Sequence, residues 1–198
     1  MVNISGKNIL IRDWQLNDLE RYAYWQQPGH KWQDFDGPYF PRLGADKIPT
    51  MIKQLRERIE TKNWDAVRRT LAITRKSDAG LIGQVNWYWQ GKETNWLSVG
   101  IVVYDPDNWR RGVGYEALGL WCDYLWAAMP ILVRLGLGTW SGNIRMMGLA
   151  EKLGFLEEAR HRKARIVNGR YYDSMGYGIL REEWAALYPD GFAAHLIE

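Results

Sequence analysis

The run Trp109-Arg110-Arg111-Gly112-Val113-Gly114 holds the chain's most concentrated chemistry. Glycine lets a backbone come close to a ligand and adopt turns that other residues resist. An amphipathic stretch follows at once, and the free N–H groups that open a helix carry a partial positive charge. Arg110 and Arg111 add charge-assisted donors beside it. Such a cradle suits phosphate or pyrophosphate. It is not a Walker loop, which needs Lys-Ser/Thr after a longer glycine spacing, and it lacks the third glycine of a dinucleotide fingerprint. A Gly-Xaa-Gly pair is common in turns, so its weight rests on the elements around it.

Periodicity supplies those elements. Residues 96–104 are β-prone and are broken by Asp105-Pro106-Asp107-Asn108, which places a strand directly before the arginines. Tyr115, Leu118, Cys122, Leu125 and Met129 recur every three or four residues, predicting a helix over 115–129 that Pro130 stops. Residues 70–74 and 81–89 read as earlier strands joined through turns at 77–80 and Gly91-Lys92, an antiparallel meander. Residues 132–139 predict a further strand, 144–153 a helix closed by Gly154, and Asn168-Gly169 a type I′ hairpin. Nearer the start, 8–12 reads as a strand and 16–26 as a helix with Asn17 at its N-cap. Residues 27–50, punctuated by Pro28, Pro38, Pro41 and Pro49, read as an aromatic-rich loop, and 51–62 as a polar helix. The order predicts a mixed α+β layer protein.

Bulk properties bound the function. A chain of 198 residues without repeats or a linker reads as one domain over 1–198. Its net charge of +3 is too balanced to demand nucleic acid, yet suits an anionic ligand. No apolar run approaches the ~18 residues that span a bilayer, so no membrane partner is expected. The first ten residues lack a basic-then-apolar leader, and Cys122 stands alone, so a reducing cytoplasm is the expected location. No Cys/His cluster offers a metal site. The 12 Trp and 11 Tyr fit either an aromatic pocket or a core, with the core favoured. Cys122 lies on its helix's inward stripe, which favours packing over nucleophilic work. His30 and His195 read as surface residues. The basic run Arg160-His161-Arg162-Lys163-Ala164-Arg165 reads as a solvated strand rather than a nucleic-acid site, with a role near a cofactor phosphate as an alternative.

Three segments resemble one family. Arg110-Arg111-Gly112-Val113-Gly114 resembles the acetyl-CoA loop of GCN5-related N-acetyltransferases (GNAT), with Trp109 where the family commonly has Gln or Arg. Asn143-Ile144-Arg145 with Glu151-Lys152-Leu153-Gly154-Phe155, and the ending Asn168-Gly169-Arg170-Tyr171-Tyr172-Asp173 with Glu183-Trp184, resemble the ribosomal-protein N-terminal acetyltransferases (RimJ/RimL-like). The resemblance covers roughly residues 69–184 and implies a mostly antiparallel central sheet flanked by helices on both faces. It implies acetyl-CoA as acyl donor, no metal, and direct transfer to a primary amine, either a peptide N-terminus or a small amine. Gly112, Val113, Gly114 and Tyr115, with Arg110 and Arg111, would hold the pyrophosphate. Backbone groups of Val102 and Val103 would hold the pantetheine and polarise the thioester oxygen, with Asn143 touching the arm from the other side.

The departures leave acid and base unassigned. Ala150 stands where many members have a proton-donating Tyr, Met146 replaces the subgroup's Ser, and Ser98 replaces an often acidic residue. Ser98, Ser141 and Asp173 are therefore the catalytic candidates, with Asp34, Asp36 and Glu93 as further acids. A non-catalytic acyl-CoA-binding module is the alternative, and a homodimer stays open. Residues 66–198 form the expected acyl-CoA core, and 1–65 the acceptor side. Trp32, Asp34, Phe35, Asp36 and Tyr39 are the candidate acceptor contacts, because acids among aromatic rings suit a cationic amine; a structural plug is the equal alternative.

Overall fold

Side chains alternate across a strand, and Leu81–Gly91 (β4) and Trp96–Val103 (β5) use that alternation to separate two environments. Val85, Trp87, Leu97 and Val99 enter one core, while Asn86, Tyr88 and Ser98 fall on the opposite face. The computed structural model describes residues 1–197. Around these central strands it places Asn3–Ser5 (β1), Ile9–Arg12 (β2), Thr70–Arg75 (β3), Arg134–Trp140 (β6), Leu156–Val167 (β7) and Arg170–Leu180 (β8) in the sheet order β1-β2-β3-β4-β5-β6-β8-β7. Every adjacent pair is antiparallel except β5–β6.

Helices cover both faces. Val113–Ala128 (α3) buries Leu118, Trp121, Cys122 and Leu125 against the Ile9, Ile73, Val85 and Leu97 face. On the other face Asp18–Gln26 (α1) and Ile48–Thr61 (α2) enclose Trp14, Trp25, Trp32 and Tyr104 with Ala72 and Leu81. Ile144–Lys152 (α4) packs beside α3. Arg181–Leu187 (α5) and Phe192–His195 (α6) close the end of α3, where Phe192 sits directly on Gly119. Among the described residues no helix is long and apolar enough to cross a membrane.

Several boundaries differ from expectation for local reasons. The sequence reading missed β1, whose three residues carry too little pattern to detect. Pro49 lies in the first turn of α2 rather than ending a loop, because a missing N–H costs nothing there. Asn17 makes no capping hydrogen bond; Asp18 accepts instead from the Gln15 N–H at 2.8 Å and from both Arg12 terminal nitrogens at 2.7 and 2.9 Å. That buried pair ties β2 to α1. Helix α3 begins at Val113, two residues early, and α5 and α6 went unread. His195 is exposed, as a surface reading requires, but ends α6 rather than lying in a loop, and it pairs its Nε2 with the Tyr115 hydroxyl at 3.0 Å. The Asn168-Gly169 hairpin forms with φ of 50° and 75°, as a type I′ turn requires.

Candidate active site

Strands β5 and β6 pair only at Leu97–Leu135 and Ser98–Gly136. Past those residues β5 stays in register with β4 as far as Val103–Gly83, while β6 stays with β8 as far as Trp140–Ser174. Each strand follows its outer partner, so the two separate. The inner edges from Gly100 to Val103 and from Gly138 to Trp140 are thus left with no facing strand, and both line a cavity of about 1360 Å³. Unpaired strand edges present N–H and C=O groups ready to bind. Gly136 lets the strands meet at the apex: a Cβ there would lie 2.9 Å from both Ser98 Oγ and Trp96 Nε1, and 3.3 Å from the Leu97 carbonyl.

The N-terminus of α3 stands at one mouth of this wedge. Arg110 and Gly112 have φ of 60° and 81°, the turn that aims the helix start. Space around Gly112 is open, so that position needs glycine for its backbone conformation rather than for room. A Cβ on Gly114 would approach Leu149 Cδ2 at 3.3 Å, so its glycine keeps the side toward α4 clear. Glu116 fixes this turn to the sheet, since its Oε1 accepts from the backbone N–H groups of Asn8 at 2.8 Å and Ile9 at 3.1 Å. Asn108 is buried, lines the cavity and leaves its Nδ2 without a partner. Arg110, Arg145 and Lys152 bring positive charge to the same wall. An orphaned donor, a helix start and three cations fit the pyrophosphate and pantetheine of a coenzyme A thioester.

A lid crosses the wedge. The Phe35 carbonyl accepts from Trp140 Nε1 at 3.0 Å and Asn143 Nδ2 at 3.1 Å, both from the β6–α4 side. The Arg145 guanidinium lies 4.6 Å from the ring centres of both Phe35 and Trp109. Trp109 in turn donates from Nε1 to the Val103 carbonyl at 2.8 Å, on the β5 side. Segment 32–42 therefore bridges both arms, anchored behind by Trp32 Nε1 donating to the Trp25 carbonyl at 3.0 Å.

Below the lid, on the face opposite α3, glycines leave the floor bare. Register sets Gly136 beside Gly178 and Gly138 beside Gly176. Tyr88 and Trp96 wall one side of it, with Arg134 over Trp96 at 5.1 Å and bonded to Glu158. Trp140, Ser174 and His161 form one cross-strand row at the other side. Ser98, 2% exposed, sits at the apex. Tyr177 belongs to the α3-side core yet also touches the cavity; its hydroxyl donates to Glu151 Oε1 at 3.5 Å, and burial raises its phenol above the ordinary range.

The structure gathers most of the expected residues and separates others. Ser98, Val102, Val103, Arg110, Gly112, Gly114, Tyr115 and Asn143 line the cavity, as do Trp32, Phe35, Asp36 and Tyr39. Arg111, Val113, Asp34, Ser141, Asp173 and Glu93 are not among its lining residues. Asp34 is exposed and bonds Lys31 at 3.0 Å. Asp173 accepts from the Lys163 N–H at 2.9 Å and from Arg160 at 3.3 Å, contacts that hold its carboxyl below the usual range, the Lys163 N–H first. Ser141 Oγ accepts from the Asp173 N–H at 2.9 Å, so both stabilise the bulged β7–β8 hairpin. Asn143, the residue expected beside the pantetheine arm, lines the cavity; its Oδ1 accepts from the Met146 N–H at 3.1 Å to cap α4, and its Nδ2 donates to the Phe35 carbonyl of the lid. Cys122 is fully buried and its thiol pushed well up by desolvation, which removes the thiolate a nucleophile needs. Sequence reasoning missed Asn108, Tyr88, Trp96, His161 and Tyr177. Only the alternation of Asn86, Tyr88 and Gln90 on β4 could have signalled any of them.

Comparison with known proteins is consistent with this geometry. The chain matches the family described as Acetyltransferase (GNAT) domain over residues 8–156. It is 23% identical over 182 residues to the SPbeta prophage-derived N-acetyltransferase YokL of Bacillus subtilis (strain 168), covering 91% of this chain and 94% of that protein. The solved spermidine N-acetyltransferase of Vibrio cholerae, in complex with CoA and spermine, superposes with a TM-score of 0.68 at 18% identity, covering 89% of this chain and 98% of its own. A GNAT-family acetyltransferase from Bacillus anthracis gives a TM-score of 0.68 at 16% identity, covering 91% and 99%.

Proposed function

We propose that this chain, which belongs to the GNAT acetyltransferase family, transfers an acetyl group from acetyl-CoA directly to a primary amine. The observation that carries the reading is the parting of β5 from β6 beside the start of α3, with the unpartnered Asn108 Nδ2 in the same cavity. Gly112, Gly114 and Arg110 hold the pyrophosphate, and the free edge of β5 at Gly100–Val103 bonds the pantetheine. The CoA thioester supplies an activated acyl carbon. This chain's share is to hold the thioester oxygen on backbone donors of β5 that are already fixed by the sheet. The amine enters beneath the lid and attacks the carbonyl carbon; a C–N bond forms as the C–S bond breaks, the nitrogen gives its proton to solvent water, and the released thiolate takes one up. A thiol of pKa ~8.5 leaves tolerably without a dedicated acid. That matters because Ala150 is buried and bears no acid group. Trp32, Phe35, Asp36 and Tyr39 contribute the acceptor wall, so residues 1–65 serve the acceptor and 66–198 the cofactor. The lone, buried Cys122 supports a reducing cytoplasm as the setting of the reaction.

The test is thiol release from acetyl-CoA across a panel of peptides and small amines. Release above the rate without protein supports the reading. Tight coenzyme A binding with no release from any amine would leave only a binding module.

A further inference from the structure

Cavity charge, rather than cavity shape, speaks most directly to the acceptor. Among the described residues the cavity wall holds two carboxylates, Asp36 and Glu158, and each is already paired, with Arg42 at 3.2 Å and with Arg134. Against them the wall carries Arg165 and the cofactor-side cations Arg110, Arg145 and Lys152. A polycationic amine would therefore meet no unpaired carboxylate. Arg165 is distinctive. It belongs to β7, opposite Tyr172, whose ring packs edge-on against Trp140 at 4.8 Å. Its guanidinium stacks on the lid's Tyr39 at 4.7 Å, on the face away from α3 and the phosphate cradle. It makes one hydrogen bond, from Nη1 to the Ala164 carbonyl at 2.9 Å, while its Nε is buried with no partner. Among the described residues no carboxylate pairs with it. A buried, unpartnered guanidinium N–H is costly unless a ligand completes it, and a planar fork of donors matches an oxyanion.

We propose, resting on the acetyl-transfer reading above, that the acceptor is an amine that also carries a carboxylate, and that Arg165 binds this carboxylate beneath the Tyr39 edge of the lid. Gly138, in the wedge, and Trp140, at the Arg165 end, are two strand steps apart, which is about 7 Å. An amine and a carboxylate held that far apart match an extended dipeptide or an ω-amino acid of similar length. The positive wall serves the chemistry too. Like charge disfavours the ammonium form, so more of the bound acceptor is the neutral nucleophile.

The experiment compares the dipeptide Ala-Phe, its C-terminal amide, phosphoethanolamine and spermidine, by kcat/KM for thiol release and by equilibrium binding to the coenzyme A-loaded protein. We expect Ala-Phe to exceed its amide and spermidine by at least tenfold in both readouts. In Arg165→Met the acid-to-amide ratio should fall to near one, Arg165→Lys should restore part of it, and Arg162→Met, on the same strand outside the cavity, should keep it. Coenzyme A affinity should not change in Arg165→Met. Equal binding of acid and amide, a preference for spermidine, or weakened coenzyme A binding in Arg165→Met would overturn the proposal. A preference for phosphoethanolamine would replace carboxylate with phosphate and overturn it in that form. Because binding is read separately from thiol release, selective binding of Ala-Phe without turnover would refute acetyl transfer alone.

Discussion

Asn143 joins two jobs that a pair of substitutions can pull apart. Its Oδ1 caps α4 at the Met146 N–H, and its Nδ2 holds the lid through the Phe35 carbonyl. Asn143→Ala loses both. Loss of an N-cap costs about 1 kcal/mol, and loss of a neutral hydrogen bond about 1 kcal/mol more. The Phe35 carbonyl keeps its bond from Trp140, so no further penalty arises for an orphaned acceptor. Asn143→Ala should therefore lower unfolding free energy by about 2 kcal/mol in urea titration. Asn143→Asp keeps an equally good cap while replacing the donor with an oxygen that faces a carbonyl. Its global stability should fall by about 1 kcal/mol or less, with the loss concentrated in the lid. Hydrogen exchange reports this directly at the lid amides of Phe35 and Phe40, which donate to Trp32 and Gly37. A local loss of about 1 kcal/mol should speed their exchange about fivefold while α4 amides stay unchanged. Equal lid exchange in Asn143→Asp and the parent, or equal global loss in the two variants, would refute the claim that Asn143 straps the lid.

Gly136→Ala places a methyl against Ser98 Oγ, Trp96 Nε1 and the Leu97 carbonyl at the one point where β5 and β6 pair, and should cost about 1–3 kcal/mol. Adding Ser98→Gly should recover part of that, because the backbone oxygen is the contact that cannot move; a neutral Gly136→Ala would refute the apex geometry. Coenzyme A at 100 times its dissociation constant should stabilise the protein by about 2.7 kcal/mol, and Gly114→Val should abolish most of this gain in a thermal shift assay. Cys122→Ala should cost about 1–2 kcal/mol for a small buried cavity and leave thiol release within twofold. An acetylated Cys122 found by mass spectrometry would refute direct transfer.

The local elements were legible where pattern and chemistry coincide. The five-residue spacing from Arg110 to Gly114, the 3.6-residue stripe through Leu118, Cys122 and Leu125, and the Asn168-Gly169 turn each name a backbone state that few other residues would choose. Those short-range constraints were enough for the meander, for α3 and for the glycine turn at its start. Contacts between distant segments were not legible, because nothing in 35, 109, 143 and 165 marks them as neighbours. Trp109 departs from the family pattern in sequence, and only folding shows its indole bonded to Val103, beneath the Arg145 guanidinium and edge to face with Phe35. Asp173 and Asp34 carry the right chemistry in sequence, but tertiary structure spends one on a hairpin bulge and leaves the other outside the cavity. Arg165 belonged to a basic run that read as a solvated strand, and the bulge between His161 and Arg165 turns it beneath the lid instead. Spacing along the chain fixes backbone conformation residue by residue, whereas burial and charge pairing are set by which strands meet. In this protein the separation of β5 from β6, dictated by their outer partners, decides which of the residues with suitable chemistry reach the cavity.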